Sequence, residues 1–236
     1  KCAPWGGNGY VRLIEFLRRM NEEICPGVKH VVSTWFFRDD DWEAFYAYLK
    51  KQDWIDALVI DAHGDFNDPD ISPSGNLHGM PLSAVCGLGP DSMVAFSDSR
   101  VDPAHVSIIG ARDIDPEEKI KLKQNGVSVF SISDIHTRGI HTVVNEAIEI
   151  ASQNTCGIHV SLDMDAIDPS HAPGVGTPVA NGLTLRETFI TLELIRKSAQ
   201  MLSMDVVEVN PLLDTQNKTG ILAVDIILTA LGNPNY

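Results

Sequence analysis

The fold is decided by the stretch Leu58-Val59-Ile60-Asp61-Ala62-His63-Gly64-Asp65, in which a short apolar run passes directly into a cluster of polar side chains. A run of this length and composition predicts a strand buried on both faces, as in a parallel sheet. The polar cluster then lies at the carboxyl end of that strand. Open α/β sheets bind their ligands at this edge.

The same pattern recurs along the rest of the chain. Apolar runs rich in Val and Ile alternate with segments of helical period, which indicates parallel strands joined by crossover helices. Strands are predicted at residues 57–60, 105–110, 127–131, 157–162 and 204–209, and helices at residues 115–124, 142–152 and 185–201. Acidic residues follow the runs that end at Ile60, Leu162 and Val207. The sequence therefore predicts an α/β fold with a mainly parallel central sheet.

The first part of the chain is less regular. Residues 10–23 and 40–50 have helical period, and residues 28–34 are the candidate for an opening strand. Residues 67–90 are rich in Gly, Pro, Ser and Asn and predict a long loop beside the first acidic motif, where function often lies. We expect one domain over residues 1–236, with residues 1–56 as its least typical part.

Composition excludes several classes of partner. The 236 residues carry a formal net charge of −14, which disfavours nucleic acid and acidic lipid surfaces and favours cationic ligands. The chain has no apolar run of the roughly 18 to 20 residues that a membrane span needs, and no signal peptide at its start. Its four cysteines form no CxxC pair. We expect a soluble, cytoplasmic protein with reduced thiols.

The acidic motifs have the spacing of metal ligands. Side chains two apart on an extended backbone point the same way, so Asp61, His63 and Asp65 should converge, as should Asp163 and Asp165 at a second strand end. Each aspartate alone is more often a helix cap or a solvated turn residue. Both clusters together, each directly after a buried strand, favour a metal site.

The ligand chemistry favours manganese. Four carboxylates and one imidazole suit a moderately hard cation, and their charge of −4 is balanced by two divalent ions. A hydroxide bridging two such ions would be a strong nucleophile at neutral pH. Asp65 is positioned to accept a hydrogen bond from it, and His78 on the adjacent loop is a candidate proton shuttle, although a loop histidine is more often merely solvated.

These motifs resemble those of the ureohydrolases, the arginase and agmatinase family. The resemblance covers Asp61-Ala62-His63-Gly64-Asp65, Ser161-Leu162-Asp163-Met164-Asp165-Ala166-Ile167-Asp168-Pro169, the segment 171–178 and the segment 205–211. It implies a three-layer αβα fold, two Mn²⁺ ions and a homo-oligomeric assembly, a trimer or hexamer. Residues 67–78 and 110–116 look more like arginase than agmatinase.

The resemblance also implies roles for individual residues. Asn67, Ser74 and Asn76 would bind the α-carboxylate of L-arginine, and Asp115 would attract its α-ammonium group. Glu208 would face the guanidinium group as a catalytic residue, and Thr177 would line the same pocket. Arg112 is expected to be a structural partner of a carboxylate. Turn and helix-cap roles also fit Asn67, Ser74 and Asp115.

One family feature is missing. The family supplies a histidine to its first manganese about two dozen residues before the DxHxD motif, and residues 35–40 contain none. His30 is one candidate replacement. Gly6-Gly7-Asn8-Gly9 resembles the motif with glycine in the histidine position, which would weaken the first metal site, and a third explanation is a segment that this chain lacks.

The sequence as a whole predicts manganese-dependent hydrolysis of L-arginine to L-ornithine and urea. The alternatives are hydrolysis of another small guanidino compound, such as agmatine or guanidinobutyrate, or a metal-poor, inactive subunit that only binds. A single-metal deacetylase of related fold fits less well, because Asp65 together with Asp163 and Asp165 suits two ions.

Overall fold

The structure is a computed structural model that describes residues 56–95, 100–155 and 157–232. A parallel sheet runs through it. Its strands are β1 (Asp56–Ile60), β2 (Ser107–Ala111), β3 (Ser128–Ser131), β4 (Ile158–Asp163) and β5 (Met201–Val207). Their order is β3-β2-β1-β4-β5, with every neighbouring pair parallel. The predicted α/β class with a parallel central sheet is confirmed.

The helices lie between the strands in sequence. Within the described residues they are α1 (Pro81–Val85), α2 (Asp91–Val94), α3 (Pro116–Gln124), α4 (Ile132–Arg138), α5 (Ile140–Ala151), α6 (Leu185–Ser198) and α7 (Lys218–Ala230). Short 3-10 helices span Leu77–Gly79, Pro103–His105 and Met164–Ala166. The predicted loop at residues 67–90 therefore contains helical turns, and α2, α4 and α7 were not predicted.

The junction of α6 and β5 differs from the prediction. The helix expected to reach residue 201 ends at Ser198, because Ala199 takes a left-handed conformation with φ of 56°. That conformation ends a helix. The strand consequently begins at Met201 rather than at residue 204, and it ends at Val207 rather than at residue 209.

Both faces of the sheet are covered by helices over its central part. Alternate residues of β1 point to opposite faces, so Leu58 and Ile60 pack in the core formed with α5, α6 and α7. Ala57 and Val59 pack in a second core with Leu82 of α1 and Leu122 of α3. These two cores give the three-layer αβα architecture.

The topology brings the acidic motifs together. β1 and β4 are neighbours, with Ile60 opposite Leu162, so Asp61 and Asp163 leave the sheet side by side. The end of β2 lies next to β1 on its other side. Because all strands are parallel, the residues that follow them gather at one edge.

Some expectations fall outside the described residues. These are the elements predicted in residues 1–55, the replacement ligand His30, and the cysteines Cys2, Cys25 and Cys156. Cys86 is described, and its side chain is buried. In the part of the chain that the structure describes, the helices are too short or too polar to cross a membrane.

Candidate metal centre

Three of the five predicted metal ligands converge at the carboxyl edge of the sheet. One ligand atom each from Asp61, His63 and Asp165 lies within 4.8 Å of the others. His63 Nδ1 is 3.0 Å from Asp165 Oδ2 and 3.5 Å from Asp61 Oδ1. Both aspartates are buried, with exposed fractions of 3% and 1%. The motif after β1 and the motif after β4 therefore build one cluster.

Main-chain hydrogen bonds orient these carboxylates. The His63 amide donates to Asp61 Oδ1 at 2.7 Å, and the Ala62 amide donates to Asp165 Oδ1 at 3.3 Å. Asp163 ends β4 and accepts a hydrogen bond of 2.7 Å from the Asp165 amide. The Ala62 amide thus joins the first motif to the Asp165 carboxylate of the second.

The acidic side chains of the cluster lie close together and are poorly solvated. Burial is the main cause that raises the pKa of Asp163 well above its usual value, and the charges of Asp61 and Asp165 raise it further. The pKa of Asp65 is raised in the same way, by burial and by the charge of Asp61. These two predicted ligands therefore lie within the electrostatic reach of the cluster.

The histidine carries the compensating charge. Burial lowers the pKa of His63, but hydrogen bonds to Asp165 and Asp61 outweigh it and raise that pKa to about 11. Burial raises the pKa of Asp61 to about 6 against the hydrogen bonds from His63. Burial also opposes the ionisation of Asp165, but its hydrogen bond with His63 outweighs this and lowers its pKa. These pKa shifts favour a protonated His63 imidazole paired with an ionised Asp165 carboxylate, whose Oδ2 lies 3.0 Å from His63 Nδ1.

This donor set fits a divalent cation. Such ions bind carboxylate and imidazole ligands at about 2 Å, so two ligand atoms of one ion are at most about 4 Å apart. The atoms of Asp61, His63 and Asp165 already approach this spacing. Oxygen-rich ligands with one nitrogen suit manganese or magnesium better than copper.

Two of the residues predicted to be catalytic have an unusual backbone. Asp65 has φ of 51° and Glu208, directly after β5, has φ of 62°. Positive φ is uncommon in residues with a Cβ atom, and such strain is concentrated at functional sites. Both side chains are partly buried.

The predicted substrate-binding residues divide into two groups. Asn67 is buried and donates from Nδ2 to Asp115 Oδ2 at 3.1 Å, which ties the loop after the first motif to the start of α3. Among the described residues, its Oδ1 has no hydrogen-bond partner. Ser74, Asn76 and His78 are exposed on the same loop, where Ser74 Oγ accepts from the Asn76 amide at 3.2 Å.

Two further predicted residues contact the metal motif that follows β4. Thr177 donates from its hydroxyl to Asp165 Oδ2 at 3.1 Å, although its side chain is largely exposed. Arg112 was expected to be a structural partner of a carboxylate, and the hydrogen bonds of its side chain within the described residues go to the main chain instead. Its guanidinium group donates to backbone carbonyl oxygens, including that of Asp165 at 2.7 Å.

Two acidic residues of the site were missed. Asp113 Oδ2 lies 4.0 Å from His63 Nε2, on the side of the ring that faces away from Asp61. Glu118 is 3% exposed, and its carboxylate accepts from the Phe66 amide at 2.7 Å and the Asp115 amide at 3.3 Å. Sequence signals existed for both, since Asp113 follows β2 and Asp115 to Glu118 has capping-box spacing.

Comparison with known proteins identifies the family of this chain. A profile of the arginase family matches residues 41–232. The arginase of Staphylococcus aureus (strain MRSA252) is 37% identical over 231 residues, which is 96% of this chain and 76% of that protein.

Solved arginases have the same fold. The native arginase of Bacillus caldovelox at pH 5.6 superimposes with a TM-score of 0.74 at 39% identity, over 77% of this chain and 61% of that one. The arginase of Entamoeba histolytica in complex with L-ornithine gives 0.73 at 31% identity, over 80% and 64% of the two chains. The chain thus spans less than two thirds of the length of these structures. From its motifs, its fold and these matches, the chain belongs to the arginase family.

Proposed function

We propose that this protein hydrolyses L-arginine to L-ornithine and urea with the help of two Mn²⁺ ions. The observation that carries the proposal is the convergence of Asp61, His63 and Asp165 on one small volume, with Asp65 and Asp163 within their electrostatic reach. When bound there, manganese would supply the nucleophile by lowering the pKa of coordinated water.

The charge of the site favours a cationic substrate. Asp61, Asp65, Asp163 and Asp165 are all at the carboxyl edge of the sheet, and Glu208 follows the adjacent strand. A cleft lined by acidic groups attracts a guanidinium group and concentrates it locally. Glu208 is proposed to hold the guanidinium group, with Thr177 beside it.

The other end of the substrate would be recognised by the loop after the first motif and the start of α3. Asp115 offers a carboxylate for an α-ammonium group and is already fixed by Asn67. Ser74 and Asn76 offer exposed polar groups for an α-carboxylate. The exposed His78 is proposed to carry protons to the leaving amine. The L-ornithine complex of the Entamoeba relative supports an amino acid substrate.

Asp163→Asn tests the metal centre. It keeps the size of the side chain but removes a charged ligand, so we expect bound manganese and urea release from L-arginine to fall together by at least about tenfold. Asp91→Asn, on the exposed start of α2, is the matched control. Full turnover in Asp163→Asn would mean that the motif after β4 does not hold the metal.

The substrate is tested by measuring urea release from L-arginine and from agmatine side by side, together with the number of manganese ions per chain. Faster turnover of agmatine would refute the arginine assignment. Absence of urea from both, with less than one ion per chain, would instead favour an inactive binding subunit. A homo-oligomer is proposed from the family resemblance alone, and a cytoplasmic location from the amino-acid sequence alone.

A further inference from the structure

Arg112 joins three segments of the site. It follows β2, and all five of its guanidinium N–H positions are used on backbone carbonyl oxygens. Nε donates to Ala180 at 3.1 Å, Nη1 to Gly110 and Ala166 at 3.2 Å each, and Nη2 to Asp165 and Val179 at 2.7 Å each. The segments joined are the end of β2, the 3-10 helix Met164–Ala166 and the loop that carries Thr177.

The backbone of Arg112 extends this connection to the first metal motif. Its amide donates to the carbonyl oxygen of Ala62 at 2.9 Å, and the amide of Asp113 donates to the same oxygen at 3.0 Å. Ala62 lies between the predicted ligands Asp61 and His63. One residue therefore contacts both metal motifs, the first through its main chain and the second through its side chain.

The position of the guanidinium group is built into the surrounding chain. A Cβ atom at Gly182 would lie 2.7 Å from Arg112 Nη2 and 2.7 Å from the carbonyl oxygen of Ala166. The absence of a side chain at this glycine lets the loop approach the guanidinium group closely. The Leu183 amide also donates to Ala166, at 2.9 Å, which fixes the same loop on the metal segment.

We propose that Arg112 is a positioning residue for the metal centre, which sets the Asp165 carboxylate where it meets both His63 and Thr177. This inference rests on the proposed function. Asp165 Oδ2 accepts from Thr177 Oγ1 at 3.1 Å and lies 3.0 Å from His63 Nδ1, so a small shift of its backbone breaks both contacts. A planar group with five fixed donors can hold three segments at once, whereas the three donors of a lysine ammonium group cannot reach all of these carbonyl oxygens.

The test separates this donor geometry from charge and from general stability. Arg112→Lys keeps the charge and loses the planar fork, Arg112→Met loses both, and Arg186→Lys on the exposed start of α6 is the matched control. The dissociation constant of Mn²⁺ is measured from the electron paramagnetic resonance signal of the free ion, well below each variant's melting temperature. Melting of the metal-free protein is followed by circular dichroism.

We expect Arg112→Lys to raise the dissociation constant about 10- to 100-fold, as for other residues that orient metal ligands, with Arg186→Lys unchanged. If the dissociation constant of the Arg112→Lys variant for Mn²⁺ is within about threefold of wild type, the inference is overturned. This holds even if the melting temperature of the variant falls, because a lower stability with unchanged affinity describes a purely structural residue. Gly182→Ala keeps Arg112 but fills its space, and wild-type affinity in that variant also overturns the inference. Failure of the wild-type protein to bind Mn²⁺ would refute the proposed function instead.

Discussion

Removing the buried carboxylate of Glu118 should destabilise the protein and disturb the first metal motif. Its two oxygens bind the amide of Phe66, directly after Asp65, and the amide of Asp115 at the start of α3. Gly64 lies against it, since a Cβ there would be 2.7 Å from the Glu118 carboxyl carbon. The carboxylate therefore fixes the loop that carries Asp65 onto α3.

The expected cost follows from these contacts. Phe66 is fully buried, so Glu118→Ala leaves its N–H without a partner at about 1–3 kcal/mol, and the lost methylene burial adds about 1 kcal/mol. The hydrogen bond from the Asp115 amide is longer, at 3.3 Å, and Asp115 is partly exposed, so the loss of this bond adds little to the cost. We expect a loss of about 2–4 kcal/mol in the free energy of unfolding. Glu118→Gln keeps one acceptor and should cost about 1 kcal/mol.

The assay is urea denaturation of the metal-free protein followed by circular dichroism, with Glu117→Ala as control. Glu117 is exposed in the first turn of the same helix, where an acid contributes at most about 1 kcal/mol. The reasoning is refuted if the two alanine variants are equally stable. Burial raises the pKa of Glu118, so the contribution of this side chain to stability falls as pH rises from the unfolded pKa of 4.5 to the folded one. The difference between wild type and Glu118→Ala should therefore be larger at pH 4 than at pH 8.

Three further predictions concern affinity, selectivity and stability. Because the pKa of His63 is raised to about 11, binding of Mn²⁺ displaces its proton, and the dissociation constant should fall at least about tenfold per pH unit from about pH 6.5 to 8.5. A dissociation constant that does not change with pH would contradict a protonated imidazole. Asn67→Ala should raise the Michaelis constant for L-arginine and reduce the enzyme's preference for L-arginine over agmatine, because the Asp115 carboxylate loses its fixed position. Steady-state kinetics that change equally for both substrates would argue against this role. Asp214→Ala removes an acceptor for the amides of Thr219 and Gly220 at the start of α7, which should lower the free energy of unfolding, measured by urea denaturation, by about 0.5–2 kcal/mol. An unchanged free energy of unfolding would mean that water replaces the cap.

The sheet could be predicted from the sequence because its strands are buried on both faces. The apolar run before Asp61 and the run before Asp163 have no other plausible environment than the middle of a parallel sheet. Boundaries were harder where local and tertiary preferences compete. At Ala199 a left-handed residue ends α6, and the sequence alone gives no signal for it, since alanine favours helix.

The ligand cluster was predictable for a related reason. Position after a strand places a side chain at the carboxyl edge, and this rule identified Asp61, His63 and Asp165, which the structure brings together. Contacts that depend on three separate segments were not predictable. Arg112 was expected to be a structural partner of a carboxylate, whereas its guanidinium group donates to main-chain carbonyl oxygens of separate segments.

The balance of charge in the metal cluster explains why neighbouring residues must hold it in place. Burial is the main cause that raises the pKa values of Asp61, Asp65 and Asp163, and the negative charges of neighbouring carboxylates raise them further, so protonation of these groups is favoured. Two divalent ions would compensate the same charge and would have to displace those protons. The carboxylates therefore cannot set their own spacing without a bound cation. Uncharged main-chain amides, the guanidinium group of Arg112 and the Glu118 bridge supply that rigidity, which keeps the ligand positions ready for metal.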